Sequence, residues 1–279
     1  MLSIKSPAKI NWYLRVLNKR DDGFHNIETA MQTVSLFDYI TLEPSEDIEV
    51  SMTPSLGIKM EENIAYKTVL TLKKLTKTQR GVKILIKKQI PDGAGLGGGS
   101  SNAATTLLAL NYLWRLNLDI KRLSEISKLI GSDVTFFLNS SPAIVRGKGD
   151  IVEPLDIKKN YKVVIVKPDV SISTAWAYGQ LQRDKGYQRQ SDTISFKKFL
   201  TEGDLKSMRD QYVNDFEEVV FKRYPELEDI KNGFLKVGAG YAAMSGSGSS
   251  IYGVFADDSY KRAYDLYSPH YKTWVVDTL

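Results

Sequence analysis

The sequence has no cysteine and only two histidines, His25 and His270. Without cysteine the chain has no disulfide framework, no thiol nucleophile and no cysteine-bound zinc or iron–sulfur cluster. Two histidines are also too few for a histidine-rich metal site. Apolar residues never continue for the roughly 18 positions that a membrane-spanning helix needs, so no such helix is predicted.

Length and composition are those of an ordinary globular protein. The chain has 279 residues, of which 42% are hydrophobic and 25% are charged, and at about 150 residues per domain this length favours two lobes. The net charge of +5 and the pI near 9.0 permit an anionic ligand without requiring one. Pro7, Lys9 and Asn11 interrupt the apolar start of the chain, which therefore predicts a strand and not a signal peptide, and favours the cytoplasm.

Strand and helix patterns alternate along the chain. Residues 9–16 alternate in polarity, with Lys9 and Asn11 on one face and Ile10 and Trp12 on the other, as in a β-strand. A soft boundary near residue 155 divides the chain into predicted lobes of residues 1–155 and 156–279. The other main predictions are strands at 27–36, 39–43, 82–90 and 161–166, a hairpin at 143–155, a helix opening at Asn63, and helices at 101–116, 196–211 and 213–235.

The most informative stretch is PDGAGLGGGSSNAA, residues 91–104, which joins a predicted strand to a predicted helix. A glycine loop at such a junction lets backbone N–H groups and the positive end of the helix receive an anion, because no side chain blocks the approach. Ser100, Ser101 and Asn102 are able to cap that helix and to donate hydrogen bonds to phosphate oxygens. The alternative is a flexible connector with a serine cap, which is uncommon at this kind of junction.

Three well-known phosphate loops do not fit the stretch. It is not a Walker A loop, because Gly99 stands where that loop needs lysine. Gly93, Gly95 and Gly98 spell G-x-G-x-x-G, but the next helix leads into another helix and not into the acidic-ended strand of a dinucleotide-binding unit. The V-A-I-K, H-R-D and D-F-G motifs of protein kinases are missing as well.

The stretch resembles the P-x-G-x-G-L-G-S-S-x-A motif of the GHMP kinases, a superfamily named after galactokinase, homoserine kinase, mevalonate kinase and phosphomevalonate kinase. Three further stretches agree with one branch of that superfamily. They are SPAKINWYLRVLNKRDDGFHNIET near the N-terminus, GSDVTFFL at 131–138 and MSGSGSSIYGVF at 244–255. The motifs follow one another in the order and spacing of that branch, so the resemblance is specific.

The resemblance implies an α+β protein with the two-lobed GHMP kinase fold. Its N-terminal lobe would be like domain 2 of ribosomal protein S5, and its C-terminal lobe would be ferredoxin-like. The implied reaction is ATP-dependent phosphorylation of a sugar-alcohol hydroxyl on a cytidine diphosphate conjugate, a step of the non-mevalonate route to isoprenoids. ATP and Mg²⁺ are the expected cofactors, since Mg²⁺ bridges phosphate oxygens, but no protein ligands for Mg²⁺ are evident. The MSGSGSS turn is expected to fold back next to the phosphate loop, with a plain hairpin turn as the alternative.

Two residues are candidates for the chemistry. By the resemblance, Asp133 accepts the proton of the attacking hydroxyl, and Lys9 pairs with that aspartate and offsets charge on the moving phosphoryl group. Considered alone, Asp133 could instead cap the apolar run that follows it, and a lone strand lysine is usually solvated.

The binding residues come from the same motifs. By the resemblance, His25 reads the cytosine edge, and Phe24, where the family commonly has tyrosine, stacks on the ring with Tyr178 on the other side. Considered alone, His25 would be an exposed loop residue, Tyr178 a core aromatic and Lys148 an exposed hairpin lysine. Asn63 either borders the adenine or only caps its helix. The predicted nucleotide-binding set is Pro91, Gly93, Ala94, Gly95, Leu96, Gly97, Gly98, Gly99, Ser100, Ser101 and Asn63, and the predicted substrate-binding set is Asn11, Phe24, His25, Lys148, Thr174 and Tyr178.

Two other functions remain open. One is another small-molecule kinase of the superfamily, of the mevalonate or homoserine type, for which Phe24 and His25 would have no cytidine to read. The other is an RNA-binding module, suggested by the basic pI and the ribosomal-like lobe, but 38 basic residues are spread along the chain against 33 acidic ones, whereas nucleic-acid binders concentrate them in a stripe. We therefore expect a small-molecule substrate, no nucleic acid, no membrane partner, and a monomer or homodimer.

Overall fold

The structure is a computed structural model and describes residues 1–139, 142–157, 159–181, 183–184 and 192–279. The expected α+β class is confirmed, and no helix within these ranges is long and apolar enough to cross a membrane. The strands are β1 (Leu2–Lys19), β2 (His25–Ser45), β3 (Ile48–Thr53), β4 (Gly81–Lys87), β5 (Ala143–Gly147), β6 (Ile151–Pro154), β7 (Lys162–Lys167), β8 (Tyr241–Met244), β9 (Ile251–Phe255) and β10 (Lys272–Asp277). The helices are α1 (Ile64–Thr76), α2 (Gly98–Leu113), α3 (Ile120–Ile130), α4 (Val134–Phe137), α5 (Thr174–Gln180), α6 (Thr193–Glu202), α7 (Leu205–Gln211), α8 (Glu217–Arg223), α9 (Pro225–Lys236) and α10 (Tyr260–Tyr267).

The chain forms two compact units, each built from several segments. The first unit comprises Met1–Ala8, Leu36–Asp92 and Gly97–Ser140, and the second comprises Lys9–Ser35, Gly93–Leu96 and Ser141–Leu279. Strands β1 and β2 and the glycine loop therefore each contribute residues to both units. A lobe boundary near residue 155 stays a prediction.

β4 is the central strand of the first unit. It pairs antiparallel with β2, with Leu42 opposite Ile84, and it pairs parallel with β3. Val82, Ile84 and Ile86 are buried and the residues between them are exposed, which is the pattern of a strand with one face on a core. Helices α1 to α4 pack against one another in the same unit. The glycine loop thus leaves a half-buried strand and enters a packed helix, as the sequence predicts.

A four-stranded antiparallel sheet in the order β10–β7–β9–β8 lies in the second unit. Its core joins Val164, Ile251 and Phe255 of the strands to Phe234 of α9. The first half of β2 pairs with β5, and β5 pairs with β6, so the predicted hairpin at 143–155 is confirmed.

The two long helices predicted at 196–211 and 213–235 are each broken in two. Gly203 ends α6 with a φ of +81°, the left-handed conformation that favours glycine. Pro225 occupies the first turn of α9, where its missing N–H needs no partner. Both breaks follow from the backbone preferences of glycine and proline, which hydrophobic periodicity does not reveal.

Strands β1 and β2 are longer and more buried than predicted. The strands predicted at 27–36 and 39–43 are one continuous strand, β2. Both faces of residues 8–16 in β1 are buried, including the polar face. Lys9 is 3% exposed and Asn11 is 0% exposed, so Lys9 is not a solvated surface lysine. Buried polar groups of this kind require hydrogen-bond partners.

Candidate active site

A buried carboxylate fixes the chain just before the glycine loop. Asp38 accepts hydrogen bonds from the backbone N–H groups of Gln89 at 2.7 Å and Ile90 at 2.9 Å. The same side chain pairs with Lys88 Nζ at 2.5 Å. Charge-assisted bonds of this kind are short and strong. Three of them on one carboxylate hold the residues that follow β4 in a single position.

The glycine loop opens a helix whose first N–H groups lack a side-chain cap. Gly97, with a φ of +70°, is the N-cap of α2, which begins at Gly98 and not at the predicted Ser101. Ser100, Ser101 and Asn102 are not caps, because they lie inside the helix. The hydroxyl of Ser6 lies 2.8 Å from Ser101 Oγ and 2.9 Å from Asn102 Oδ1. The first N–H groups of a helix have no partners within it. An uncapped start without bulky side chains is suited to bind phosphate.

Residues 245–250, between β8 and β9, form a second glycine-containing turn that we call the serine turn. Ser245 Oγ donates to the Gly95 carbonyl at 2.9 Å, and the Ser250 N–H donates to the Ala94 carbonyl at 3.2 Å. A Cβ at Gly95 would overlap the Ser245 carbonyl. The MSGSGSS stretch is therefore a hairpin turn that also packs on residues 93–96, as the resemblance implies.

Lys9 is held beside the same loop residues by its backbone and its side chain. Its N–H donates to the Leu96 carbonyl at 2.9 Å. Its Nζ donates to Asn11 Oδ1 at 2.5 Å, and the Gly246 N–H donates to that oxygen at 2.8 Å. One amide oxygen thus joins the candidate catalytic lysine to the serine turn.

Further buried side chains, which the sequence does not single out, hold Asn11 and the serine turn in place. Asn214 Nδ2 donates to the carbonyls of Met244 at 2.8 Å and Gly246 at 2.7 Å. Thr29 Oγ1 accepts from Asn11 Nδ2 at 2.8 Å. Asn214 belongs to no recognisable motif, and Thr29 ends the N-terminal motif without being singled out by it, so only the folded structure reveals their contacts.

Asp133 precedes α4 without capping it. No side-chain hydrogen bond caps α4, so the capping alternative is wrong for this side chain. The residue is partly buried, and its carboxylate makes no hydrogen bond or ion pair with any residue in the described ranges. A partly buried carboxylate that has no other partner is available to accept a proton.

The predicted base-reading residues lie in the second unit. The rings of His25 and Tyr178 stack with centroids 5.1 Å apart and an interplanar angle of 13°. Tyr178 also meets Phe216 edge-on at 4.8 Å, which fixes its ring from a second side. Burial lowers the pKa of His25 below its usual value of 6.5, so its imidazole is neutral at neutral pH and presents one donor and one acceptor.

The remaining predicted substrate residues, Phe24, Lys148 and Thr174, make two contacts. Lys148 Nζ lies over the ring of Phe24, 5.5 Å from its centroid, and Phe24 is 55% exposed. Thr174 Oγ1 lies 2.7 Å from Ser247 Oγ, which ties the start of α5 to the serine turn. Stacking of cytosine between Phe24 and Tyr178 stays a prediction.

Asn63 has a clear structural role in the first unit. Its Oδ1 accepts from the Ala65 N–H at 2.9 Å and caps α1, as one of its two interpretations predicts. Contact with adenine stays a prediction. Within the part of the chain that the structure describes, no group of three or more His, Asp or Glu side chains could hold a metal ion.

Comparisons with known proteins cover nearly the whole chain. Residues 63–141 match the model of the GHMP kinases N terminal domain, and residues 196–266 match the GHMP kinases C terminal model. A protein of Thermodesulfovibrio yellowstonii named 4-diphosphocytidyl-2-C-methyl-D-erythritol kinase is 46% identical over 91% of this chain and 90% of its own length.

Solved structures of kinases also match this chain over nearly its whole length. A crystal structure of 4-(cytidine 5'-diphospho)-2C-methyl-D-erythritol kinase superimposes with a TM-score of 0.84 at 30% identity, covering 99% of both chains. Homoserine kinase from Cytophaga hutchinsonii, at 17% identity and a TM-score of 0.68 over 100% of this chain and 94% of its own, shares the fold alone. The chain belongs to the GHMP kinase family, and it is a small-molecule kinase with that family's fold.

Proposed function

We propose that the protein transfers the γ-phosphoryl group of ATP to the 2-hydroxyl of 4-diphosphocytidyl-2-C-methyl-D-erythritol, a step of the non-mevalonate route to isoprenoids in the cytoplasm. The observation that carries this proposal is the 46% identity, over nine-tenths of both chains, to a protein named for this substrate. Contacts made by several of the predicted site residues support the proposal.

The glycine loop would hold the phosphates of ATP. Uncapped N–H groups at the start of α2 are directed donors for phosphate oxygens, and glycine leaves the backbone open to them. The serine turn packs on residues 93–96 and keeps that part of the loop in place. Phosphoryl transfer depends mainly on such positioning, since little covalent chemistry is asked of the protein.

Asp133 would accept the proton of the attacking hydroxyl, and Lys9 would offset the charge on the moving phosphoryl group. The carboxylate of Asp133 has no competing partner among the described residues, and Lys9 is buried and held by Asn11. A buried ammonium interacts more strongly with a phosphoryl oxygen than a solvated one, because less water screens it. Mg²⁺ bound to the ATP phosphates would supply further charge neutralisation.

Cytidine would be recognised in the second unit. The neutral His25 imidazole offers the donor and acceptor that the cytosine edge needs, and Phe24 and Tyr178 offer aromatic faces for stacking. Lys148 beside Phe24 adds a positive charge suited to a diphosphate.

The base role is tested by replacing Asp133 with asparagine. We expect Asp133→Asn to lower kcat by about 10²–10⁴-fold, the usual contribution of a general base, with the Kd for ATP nearly unchanged. Asp119→Asn is the matched control, because Asp119 caps α3 in the same unit by accepting from the Arg122 N–H at 2.8 Å and asparagine caps equally well. An unaltered kcat in Asp133→Asn would refute the base role.

Substrate choice is tested with a coupled assay of ADP release. The cytidine diphosphate methylerythritol substrate is compared with mevalonate and homoserine under the same conditions. We expect turnover with the cytidine substrate alone. Faster turnover of mevalonate or homoserine would assign the chain to another branch of the family.

A further inference from the structure

The amide of Asn11 is buried, and contacts on both sides define its orientation. On one side its Oδ1 accepts from Lys9 Nζ at 2.5 Å and from the Gly246 N–H at 2.8 Å. On the other side its Nδ2 donates to Thr29 Oγ1 at 2.8 Å. A flipped amide would set Nδ2 against an ammonium and an N–H group, placing donors against donors. Asn11 therefore works only in one of its two orientations.

Thr29 fixes the Nδ2 side of the amide. Its hydroxyl has a single hydrogen, which it donates to the Tyr13 carbonyl at 2.5 Å. Only the oxygen lone pairs are left, so toward Asn11 the hydroxyl acts as an acceptor and selects the Nδ2 side of the amide. Thr29 and Asn11 are both 0% exposed, so no bulk water can take the place of either group.

We propose that Thr29 is a positioning residue for catalysis. Through a relay from the Tyr13 carbonyl, it fixes the Asn11 amide so that Oδ1 faces Lys9 and the serine turn. Loss of the Thr29 hydroxyl leaves a buried Asn11 N–H without its acceptor. The amide then loses the contact that holds it from the Nδ2 side, so the position of Oδ1 against the Lys9 ammonium is less sharply defined. This inference rests on the proposed function only in assigning the chemical role of Lys9.

The first test compares three variants in the same strand. Thr29→Val keeps the shape and removes the hydroxyl, Thr29→Ser keeps the hydroxyl, and Thr33→Val removes a hydroxyl from a threonine that is also 0% exposed in β2. We expect Thr29→Val to lower kcat on the order of 10- to 100-fold, as small displacements of a positioned group do, with the KM for ATP little changed. Thr29→Ser should restore kcat to within a few-fold.

Thr33→Val separates stability from positioning. Both valine variants should lower the midpoint of thermal unfolding, whereas only Thr29→Val should lower kcat measured below that midpoint. Equal kcat values in the two valine variants would overturn the proposal and leave Thr29 a purely structural residue. Failure of Thr29→Ser to restore kcat would overturn it as well.

A second test does not need turnover or a folded valine variant. In the wild-type protein, the side-chain amide protons of Asn11, assigned by their loss in Asn11→Ala, should exchange slowly with solvent, and in Thr29→Ser they should stay protected. Fast exchange in the wild type would overturn the proposal directly. If the wild type shows no turnover of the cytidine substrate while these protons are protected, the proposed function fails and the Thr29 relay stands.

Discussion

Gly95 and Gly93 form a matched pair for testing the packing of the glycine loop. Both have positive φ, +74° at Gly95 and +58° at Gly93, so alanine is strained at either position. At Gly93 nothing lies within 4 Å of an added Cβ. At Gly95 the added Cβ would overlap the Ser245 carbonyl oxygen and lie 2.8 Å from its carbon and 3.2 Å from the Gly248 carbonyl oxygen.

The difference between the two alanine variants isolates the contact with the serine turn. The left-handed conformation costs alanine about 1–2 kcal/mol at each position, and the entropy that alanine removes from the unfolded chain is the same for both. Overpacking typically adds about 1–3 kcal/mol, and it arises only at Gly95. The clash is with backbone atoms, which cannot turn away as a side-chain tip does, so we expect the upper part of that range.

Thermal unfolding and nucleotide binding measure this difference. For a chain of this size we expect Gly95→Ala to unfold about 4–12 °C below Gly93→Ala, from roughly 2–4 °C per kcal/mol applied to about 2–3 kcal/mol. Gly95→Ala should also raise the KM for ATP more than Gly93→Ala, because the serine turn must move away from the loop. Equal unfolding midpoints for the two variants would refute the reasoning, since they would show that the serine turn does not pack on Gly95 as described.

Three further predictions concern the second unit. His25→Ala should raise the KM for the cytidine substrate far more than the KM for ATP, and equal effects would argue against base reading. Because burial lowers the pKa of His25, the unfolded chain binds the proton more readily than the folded chain. The stability that this residue contributes therefore falls as pH drops below 6.5. The wild-type KM for the cytidine substrate should also rise at pH values below the pKa of His25 in the folded chain. Glu217 is buried, accepts from the Met244 N–H at 2.8 Å and pairs with Lys231 Nζ at 2.6 Å, and burial raises its pKa. Lys231→Met should therefore cost about 3–5 kcal/mol of unfolding free energy near neutral pH. The cost should be much smaller near pH 4, where the Glu217 carboxyl is protonated in the folded and the unfolded state. Urea unfolding that shows the same loss at both pH values would contradict this account.

The sequence predicts the elements of the fold well where periodicity and flanking residues agree. The strand before the glycine loop, the hairpin at 143–155 and the helix capped by Asn63 are confirmed. The breaks at Gly203 and Pro225 were missed because hydrophobic residues continue on either side of them and only the local backbone preference marks the end of a helix.

The candidate site is predicted in its motifs but not in its supporting contacts. Lys9, Asn11 and the serine turn all lie in recognisable stretches, yet their hydrogen bonds join residues 11 and 246, a separation that no local pattern encodes. The sequence does not predict the burial of the polar face of β1 either, because alternation of polarity normally marks an exposed face. Thr29 is the last residue of the N-terminal motif, but nothing in that motif singles it out, and its proposed role depends on which atom its hydroxyl donates to.

In the proposed function, the acceptor is selected by a different part of the molecule from the part that binds phosphate. Backbone N–H groups of a glycine loop bind any triphosphate, so the fold shared with homoserine kinase at 17% identity does not select the acceptor. His25 and Thr29 lie on the same strand, β2, and at about 3.3 Å per residue they are about 13 Å apart. Thr29 contacts Asn11, which holds Lys9, so His25, the proposed base-reading residue, lies about that far from the residues that hold the proposed catalytic lysine. A nucleoside diphosphate joined to a sugar alcohol can extend over such a distance, whereas mevalonate and homoserine are too short to contact both ends. If His25 and Lys9 have their proposed roles, the spacing along β2 supports the cytidine conjugate as the acceptor over the smaller ones.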